Sequence, residues 1–351
     1  MKDYTGKKIY LGIDVHKATY SVTAISEKIV VKKATLPASP EGLVAFCKKF
    51  FPGASIESAY EAGFSGFHLH RVLERNGIKN LVVHAAGIET AVGDRVKTDK
   101  RDSKKIATQL EANRLRGIHV PSEEREEKRA LTRLRDKIIE HRMVVANQIK
   151  ALLHLHGLLP SIGNKKVCSK WIKSLETLSM RNGIRYAVNH LIDVWQQHTV
   201  RIKEIDAEMV KQASEDKALE DVYRSSPGIG PVGARILSNE VQDMSHFKNE
   251  RQLFSYTGLT PSEHSSGGYI RKGHISRQGK TVIRRVLVLA AWKAIQKDQN
   301  LRETYDRIAA RAGGKKAIVA IARKLVGRIR ACFKKQCLYK TGAQNLAAVA
   351  A

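Results

Sequence analysis

Apolar and polar positions change their period twice along this chain. In the first 36 residues the runs KIYLGIDVH, TYSVTAISE and KIVVKKATL are short, β-rich and separated by small breaks. Three such runs in succession predict an antiparallel meander. A Pro-Glu start then opens a helical pattern over 40–51, closed by Pro52-Gly53. SIESAYEAG (55–63) reads as a strand, 66–77 as a helix closed by Gly77, and KNLVVHAA (79–86) as a fifth strand. TDKRDSKKIATQLEANRLRG (98–117) reads as a helix ending at Gly117. The order βββαβαβα predicts a mixed α/β domain.

From residue 122 the period becomes seven. Leu131, Ile138, Val145 and Leu152 form one heptad column, and Leu134, His141, Gln148 and Leu155 the other, with no proline or glycine before Gly157. The spacing predicts a helix over 122–156, on the order of 50 Å long, with two polar core positions. After the linker SIGNKK a second heptad run follows: Val188, Trp195, Ile202 and Met209, with Leu191, His198 and Ile205. Two arrangements fit equally: antiparallel helices paired within one chain, or an arm that dimerises.

Beyond residue 220 the segment SSPGIGPVGARILSNE (225–240) has the form of a helix-hairpin-helix. Its glycine turn, at Gly228 and Gly230, would present backbone N–H groups at a helix start to a phosphate; an ordinary capped turn is the plainer alternative. Charge changes the picture here. The chain holds 62 Lys and Arg against 34 Asp and Glu, a net charge of +28 over 351 residues. Residues 271–351 alone carry 20 basic and 3 acidic side chains. Apolar residues are interleaved with them in TVIRRVLVLAAWKAI and KAIVAIARKLVGRIRACF, so these read as amphipathic helices with a basic face rather than a disordered tail. Only GAQNLAAVAA at the end reads as loose. Such a surface fits a polyanion, and no run of about 18 apolar residues is present to span a membrane. The N-terminus breaks its short apolar stretch with Asp14, which argues against a signal peptide. The four cysteines are too scattered for a disulfide framework or a zinc site, which points to a reducing cytosol and a nucleic-acid partner.

Candidate chemistry begins with acids. Asp14 lies mid-strand between Ile13 and Val15, where a carboxylate should meet a cation. Glu61 ends the fourth strand, and Asp99 and Asp102 lie three apart at a helix start, on one face; Asp94 is a nearby decoy. A carboxylate set from a first strand, a later strand and a following helix is how ribonuclease-H-like folds build a magnesium site. Hard oxygen donors suit Mg²⁺ or Mn²⁺. Taken singly, Glu61 could be a surface acid and Asp99 a helix cap.

The second candidate is the segment 254–280, where Ser265-Ser266-Gly267-Gly268 precedes Arg271, Lys272, His274, Arg277 and Lys280, with Arg284 and Arg285 beyond. A serine among cations suits attack on a phosphodiester, because the cations would hold developing negative charge. It needs a base or a metal to activate it, and His264 and His274 are candidates. On residue chemistry alone, Ser-Ser-Gly-Gly is better read as a plain loop.

Taken together, GIDVHK (12–17), YEAG (60–63), KTDKRDSKKIA (97–107), SSPGIGPVGA (225–234) and the segment 253–280 resemble the DEDD transposases of the insertion-sequence-110 family, in the same order and over nearly the whole chain. The resemblance implies a Holliday-junction-resolvase-like, ribonuclease-H-like domain over 1–120. It implies a coiled-coil helical insertion over 121–220 and a mainly helical, basic transposase domain with a helix-hairpin-helix over 221–351. It implies that Asp14, Glu61, Asp99 and Asp102 are a metal-binding tetrad, and that Ser266, with Ser265 as the fallback, is a covalent nucleophile. Gly228, Gly230, Arg271, Lys272, Arg277, Lys280, Arg284 and Arg285 would then hold nucleic acid. Donor and target DNA, a noncoding bridge RNA and further copies of the chain, as a dimer or tetramer, are the implied partners. The implied setting is a bacterial or archaeal cytoplasm, at the nucleoid. Two other readings compete: a structure-specific endonuclease in which metal-activated water attacks, and a non-catalytic nucleic-acid scaffold.

Overall fold

The computed structural model describes residues 4–89, 99–159, 166–263, 266, 267, 269, 271–276 and 279–341; the side chains of Asp99, Lys100 and Lys272 lie outside the description. The chain divides into two compact units, Met1–Pro121 and Ser122–Ala351.

The first unit is a five-stranded sheet. Its strands are β1 (Lys8–Val15), β2 (Thr19–Ser26), β3 (Ile29–Pro37), β4 (Ser55–Glu61) and β5 (Lys79–Val83), in the order β3-β2-β1-β4-β5. The meander is antiparallel as the alternation predicted, and Glu27 and Lys28, both at positive φ, make the two-residue turn between β2 and β3. β4 runs parallel to β1, and β5 parallel to β4. Each of these links passes through a helix, α1 (Pro40–Phe50) and then α2 (His68–Arg75), as parallel crossovers require. Ser39 caps α1 by accepting from the Gly42 N–H at 3.0 Å, with Pro40 in the first turn.

Side chains on β1 alternate between two layers. Ile9, Leu11 and Ile13 are fully buried with Leu43, Phe46, Leu69 and Leu73 of α1 and α2. Tyr10, by contrast, packs with the cluster that holds Ile106 and Leu110 of α3 (Asp99–Glu111). Gly12 lies between these layers' edges at the closest approach of α3: a Cβ built there would meet the Ser103 carbonyl oxygen at 2.1 Å and the Ala107 nitrogen at 2.4 Å. Both obstacles are backbone, so any side chain must push the helix off the sheet. Gly12→Ala is therefore expected to cost about 3 kcal/mol, seen as roughly 100-fold faster amide exchange in β1 and α3.

The predicted helix over 98–117 is too long. α3 stops at Glu111, Asn113 takes a left-handed φ of 53°, and the chain turns back to the sheet edge. There Ile118 N–H donates to the Val82 carbonyl at 2.8 Å, and Leu115 is buried beside Val83. The apolar residues that suggested more helix are used against β5.

Among its described residues, the second unit is helical apart from one small hairpin. α4 (Glu123–Leu155) and α6 (Asn182–Ala213) pack against each other, joined through a short α5 (Ser169–Lys173). Pairs across the interface run in opposite senses: Arg135 with Asp206, then Arg142 with Thr199 and over the Trp195 ring. The pairing is antiparallel and within one chain; the linker SIGNKK lies outside the described residues except Lys166. On α6 the predicted column Val188, Trp195, Ile202 and Met209 is buried. On α4 the second predicted column is wrong. Leu134, His141, Gln148 and Leu155 are all exposed, and the seam is completed instead by Arg135, Arg142 and Ile149. Two arginines in the true column hid it, because their stems pack while their guanidinium groups find Asp206 and Trp195.

The remaining helices are α7 (Lys217–Ser225), α8 (Pro231–Val241), α9 (Glu250–Thr257), α10 (Thr281–Lys297), α11 (Gln299–Ala312) and α12 (Gly314–Lys335). They enclose one core around Leu237, Leu253, Leu287, Ala291, Ile321 and Leu325. Between α9 and α10 a two-stranded ribbon, β6 (Pro261–Glu263) and β7 (Lys272–Ile275), projects from them. The tail GAQNLAAVAA lies outside the described residues. Among those described, no helix is long and apolar enough to cross a membrane.

Candidate active site

Two of the four predicted acids share a face of the sheet, and a third lies on the helix packed against that face. Gly12 points at α3, and Asp14, two residues on, follows it on that side. Ala59 is in register with Gly12 and belongs to the α3 cluster, so Glu61 also follows on that side. The last paired residues of the two strands are Ile13 and Tyr60, which leaves Asp14 and Glu61 as the next residues at the carboxyl ends of neighbouring parallel strands. Asp102 precedes Ser103, whose carbonyl meets Gly12 and whose hydroxyl lies 2.9 Å from that of Thr23 on β2. The start of α3 is thereby held over β1 and β2. Asp14 is 21% exposed with Oδ2 3.1 Å from His16 Nε2, and Asp102 Oδ1 lies 3.8 Å from Lys105 Nζ. Glu61 is exposed. The side chain of Asp99, and the whole of Asp94, lie outside the description. Among the described residues, no three His, Cys, Asp or Glu side chains are gathered closely enough to hold a metal ion. In donor chemistry the set is all carboxylate oxygen, which suits a hard divalent cation.

The serine segment is a hairpin rather than a plain loop. β6 and β7 pair antiparallel through Pro261 with Ile275 and Glu263 with Lys272. At the tip the Ser266 N–H donates to the Tyr269 carbonyl at 3.2 Å and the Tyr269 N–H returns a bond of 3.0 Å to Ser266, with Gly267 at φ 58°. Ser266 is exposed there, with Tyr269 and Arg271 exposed beside it. His274 is also exposed, while His264, Ser265, Gly268, Arg277 and the Lys272 side chain lie outside the description.

The glycine turn joins α7 to α8. Gly228 has φ 85°, and a Cβ there would lie 2.4 Å from the Ala290 carbonyl of α10. Helix packing by itself therefore demands glycine at 228. Gly230, just before Pro231, is open, with nothing within 4 Å of its Cβ direction. Three of the predicted nucleic-acid cations are engaged within the protein. Lys280 Nζ lies 3.0 Å from Glu240 Oε2, Arg284 donates to the Gly279 carbonyl at 2.6 Å, and Arg285 pairs with Asp136. The charge count could not show these partners, because each is distant in sequence or on the backbone.

Residues 11–157 match the family model of the IS110 DEDD enzymes, described as a transposase, and residues 221–306 match the model described as the transposase IS116/IS110/IS902 family. The chain belongs to the IS110 family of transposases. Among its relatives, the transposase for insertion sequence element IS1111A of Coxiella burnetii is 26% identical, over 95% of this chain and 92% of its own length. The transposase for IS1533 of Leptospira borgpetersenii is 26% identical over 93% and 96%. The putative transposase y4qE of Sinorhizobium fredii is 28% identical over 66% of this chain, and the match spans 57% of that protein. The first match of this transposase contains the four acids, and the second contains the glycine turn and the serine hairpin.

The transposase also has buried charge that sequence reasoning missed. Asp216 receives Arg235 Nη2 at 2.7 Å and Arg125 Nη1 at 3.2 Å, with Lys128 at 3.5 Å. Glu240, 1% exposed, is gripped by Arg133 through both carboxylate oxygens, at 2.9 and 3.2 Å. Burial pushes each of these carboxyls up, but the cations outweigh it and hold both below their ordinary values. Groups depressed on folding add stability above the ordinary carboxylate pKa and lose it as pH falls through the folded value. Glu220 runs the other way, since burial holds it above its ordinary value despite Arg235. The melting temperature is thus expected to fall as pH drops below about 4. Glu240→Gln, melted across the same pH range, should start lower at pH 7 and show a shallower acid decline.

Proposed function

We propose that this transposase cuts and rejoins DNA through a serine-linked intermediate, with Ser266 as nucleophile and Asp14, Glu61, Asp99 and Asp102 holding Mg²⁺ or Mn²⁺. The observation that carries the reading is the shared sheet face: Asp14 and Glu61 lie at the carboxyl ends of adjacent parallel strands, on the face that α3 covers. The sheet order with Asp14 on its middle strand supports a ribonuclease-H-like domain over 1–120. The long antiparallel helices support a coiled-coil arm over 121–220, and the glycine turn between α7 and α8 supports a helix-hairpin-helix within a basic domain over 221–351.

A divalent cation held by these carboxylates would polarise the phosphodiester and stabilise charge on the attacking and departing oxygens. The protein's own part is orientation. The hairpin turn presents the Ser266 hydroxyl outward, and Arg271 with Lys272 and Arg277 supplies positive charge for the phosphate. As the serine oxygen bonds to phosphorus, its proton passes to a base, for which His264 and His274 are the candidates. The bond from phosphorus to one sugar oxygen breaks, and that oxygen leaves as a hydroxyl after taking up a proton. Attack by a sugar hydroxyl of another strand reverses these steps and frees the serine. Bond count is conserved, so no high-energy cofactor is consumed.

A noncoding bridge RNA pairing with donor and target DNA, assembly as a dimer or tetramer, and action at the nucleoid of a bacterial or archaeal cytoplasm complete the proposal; they rest on family membership. The experiment is direct. Purified protein is incubated with Mg²⁺, DNA carrying the ends of its own element, and the flanking noncoding transcript, then run on a denaturing gel. A DNA-linked protein band is expected. Cutting without a linked band would favour the endonuclease reading instead.

A further inference from the structure

Glu240 does more than balance charge in the helical core. Its carboxylate takes a bidentate grip from Arg133, lies 3.0 Å from Lys280 Nζ, and is 3.8 Å from Arg129 Nε. Its backbone is held as well: Arg129 Nη2 donates to the Glu240 carbonyl at 3.1 Å, and the Tyr256 hydroxyl donates to that same oxygen at 3.1 Å. Four parts of the fold therefore meet at one residue. Arg129 and Arg133 come from α4, Glu240 ends α8, Tyr256 lies in the last turn of α9, and Lys280 immediately precedes α10.

Two of those parts are the legs of the serine hairpin. Tyr256 lies just before β6 and Lys280 just after β7. The legs also touch one another, since a Cβ on Gly279 would lie 2.1 Å from the Tyr256 carbonyl. Above this base, the bonds among the described residues include the Ser276 N–H to the Thr260 carbonyl, the Ser262 hydroxyl to the His274 carbonyl, the Ser266–Tyr269 pair and two ladder pairs. A two-stranded ribbon takes its orientation from its base.

We propose that Glu240 is a positioning residue, which locks both legs of the serine hairpin and fastens them to the long helix α4. The inference rests on Ser266 being the nucleophile. Its consequence is that the orientation of the arm and that of the hairpin are coupled through one buried residue, whose carboxylate holds Arg133 and Lys280 and whose backbone carbonyl holds Arg129 and Tyr256.

The test uses the full-length protein with Lys280→Met, which removes one leg's ion pair while leaving Glu240 paired with Arg133. Amide exchange over residues 261–276 should quicken at least 10-fold, with α11 and α12 unchanged. The rate of forming the DNA-linked band, on DNA carrying the element's ends, should fall about 10- to 100-fold. Lys280→Arg should restore both. Because Lys280→Met also removes a cation that nucleic acid could use, Tyr256→Phe and Arg133→Met provide independent variants, and each should loosen the same segment. Unchanged exchange in the hairpin, or equal loosening throughout the helical unit, would overturn the proposal. A looser hairpin together with undiminished DNA linkage in Ser266→Ala would leave the clamp standing and remove the nucleophile. Linkage lost in Ser266→Ala but normal exchange and linkage in all three clamp variants would do the reverse.

Discussion

Ser266→Ala is expected to abolish the DNA-linked protein band and to lower strand exchange at least about 10⁴-fold, while Ser265→Ala retains the band. The reasoning is chemical. Alanine removes the only atom that can form the phosphoester and leaves the surrounding backbone unchanged. The turn should persist, because its two bonds use the Ser266 N–H and carbonyl, not the hydroxyl. DNA affinity and its salt dependence should therefore match those of the unaltered protein. A plain loop serine would lose nothing in this experiment. Mg²⁺-dependent cutting that survives in Ser266→Ala at the normal rate would transfer the reaction to water and leave the endonuclease reading.

Asp14→Asn and Asp102→Asn are each expected to reduce cutting by roughly 10³-fold with DNA binding retained. The amide keeps the shape of the carboxylate but loses the charge that attracts a divalent cation. Asp14 is 21% and Asp102 23% exposed, so neither substitution leaves a buried cavity, and the melting temperature should change little. Titrating Mn²⁺ separates affinity from chemistry, since a weakened site should recover partly at high metal concentration. Normal activity in both variants, at limiting Mg²⁺, would remove the acids from the mechanism. Mixing Asp14→Asn chains with Ser266→Ala chains adds a further result. Recovery of DNA linkage would mean that one subunit's acids serve another's serine, and none would be recovered if both must come from one chain.

Much of the architecture was legible because its signals are local. The β-rich runs KIYLGIDVH and its two successors mark the strands, and the meander follows from the short breaks between them. On α6 the heptad column of Val188, Trp195, Ile202 and Met209 was readable because every member is apolar and buried. On α4 the rule failed at Arg135 and Arg142, where long polar side chains fill seam positions and the apolar Leu134 and Leu155 face outward. α3 ended early for a different reason. Its last apolar residues gain more by covering β5 than by extending the helix, a choice made by the sheet edge.

The candidate site divides along the same line. Which residue types are available was written in the chain: four acids, a serine among cations, and a glycine turn, all recognisable without coordinates. Their placement needed the fold. Gly12 shows this most clearly, since only the packed structure reveals that α3 rests on its missing side chain and so seats Ser103, the neighbour of Asp102, on β1 and β2. Equally, a count of positive charge cannot tell that Lys280 and Arg285 are held by Glu240 and Asp136, 40 and 149 positions away. Local pattern determines which elements form, because backbone geometry and side-chain period act over a few residues. Tertiary structure decides which charges are occupied and which face one another, because those energies depend on distance in space and not along the chain.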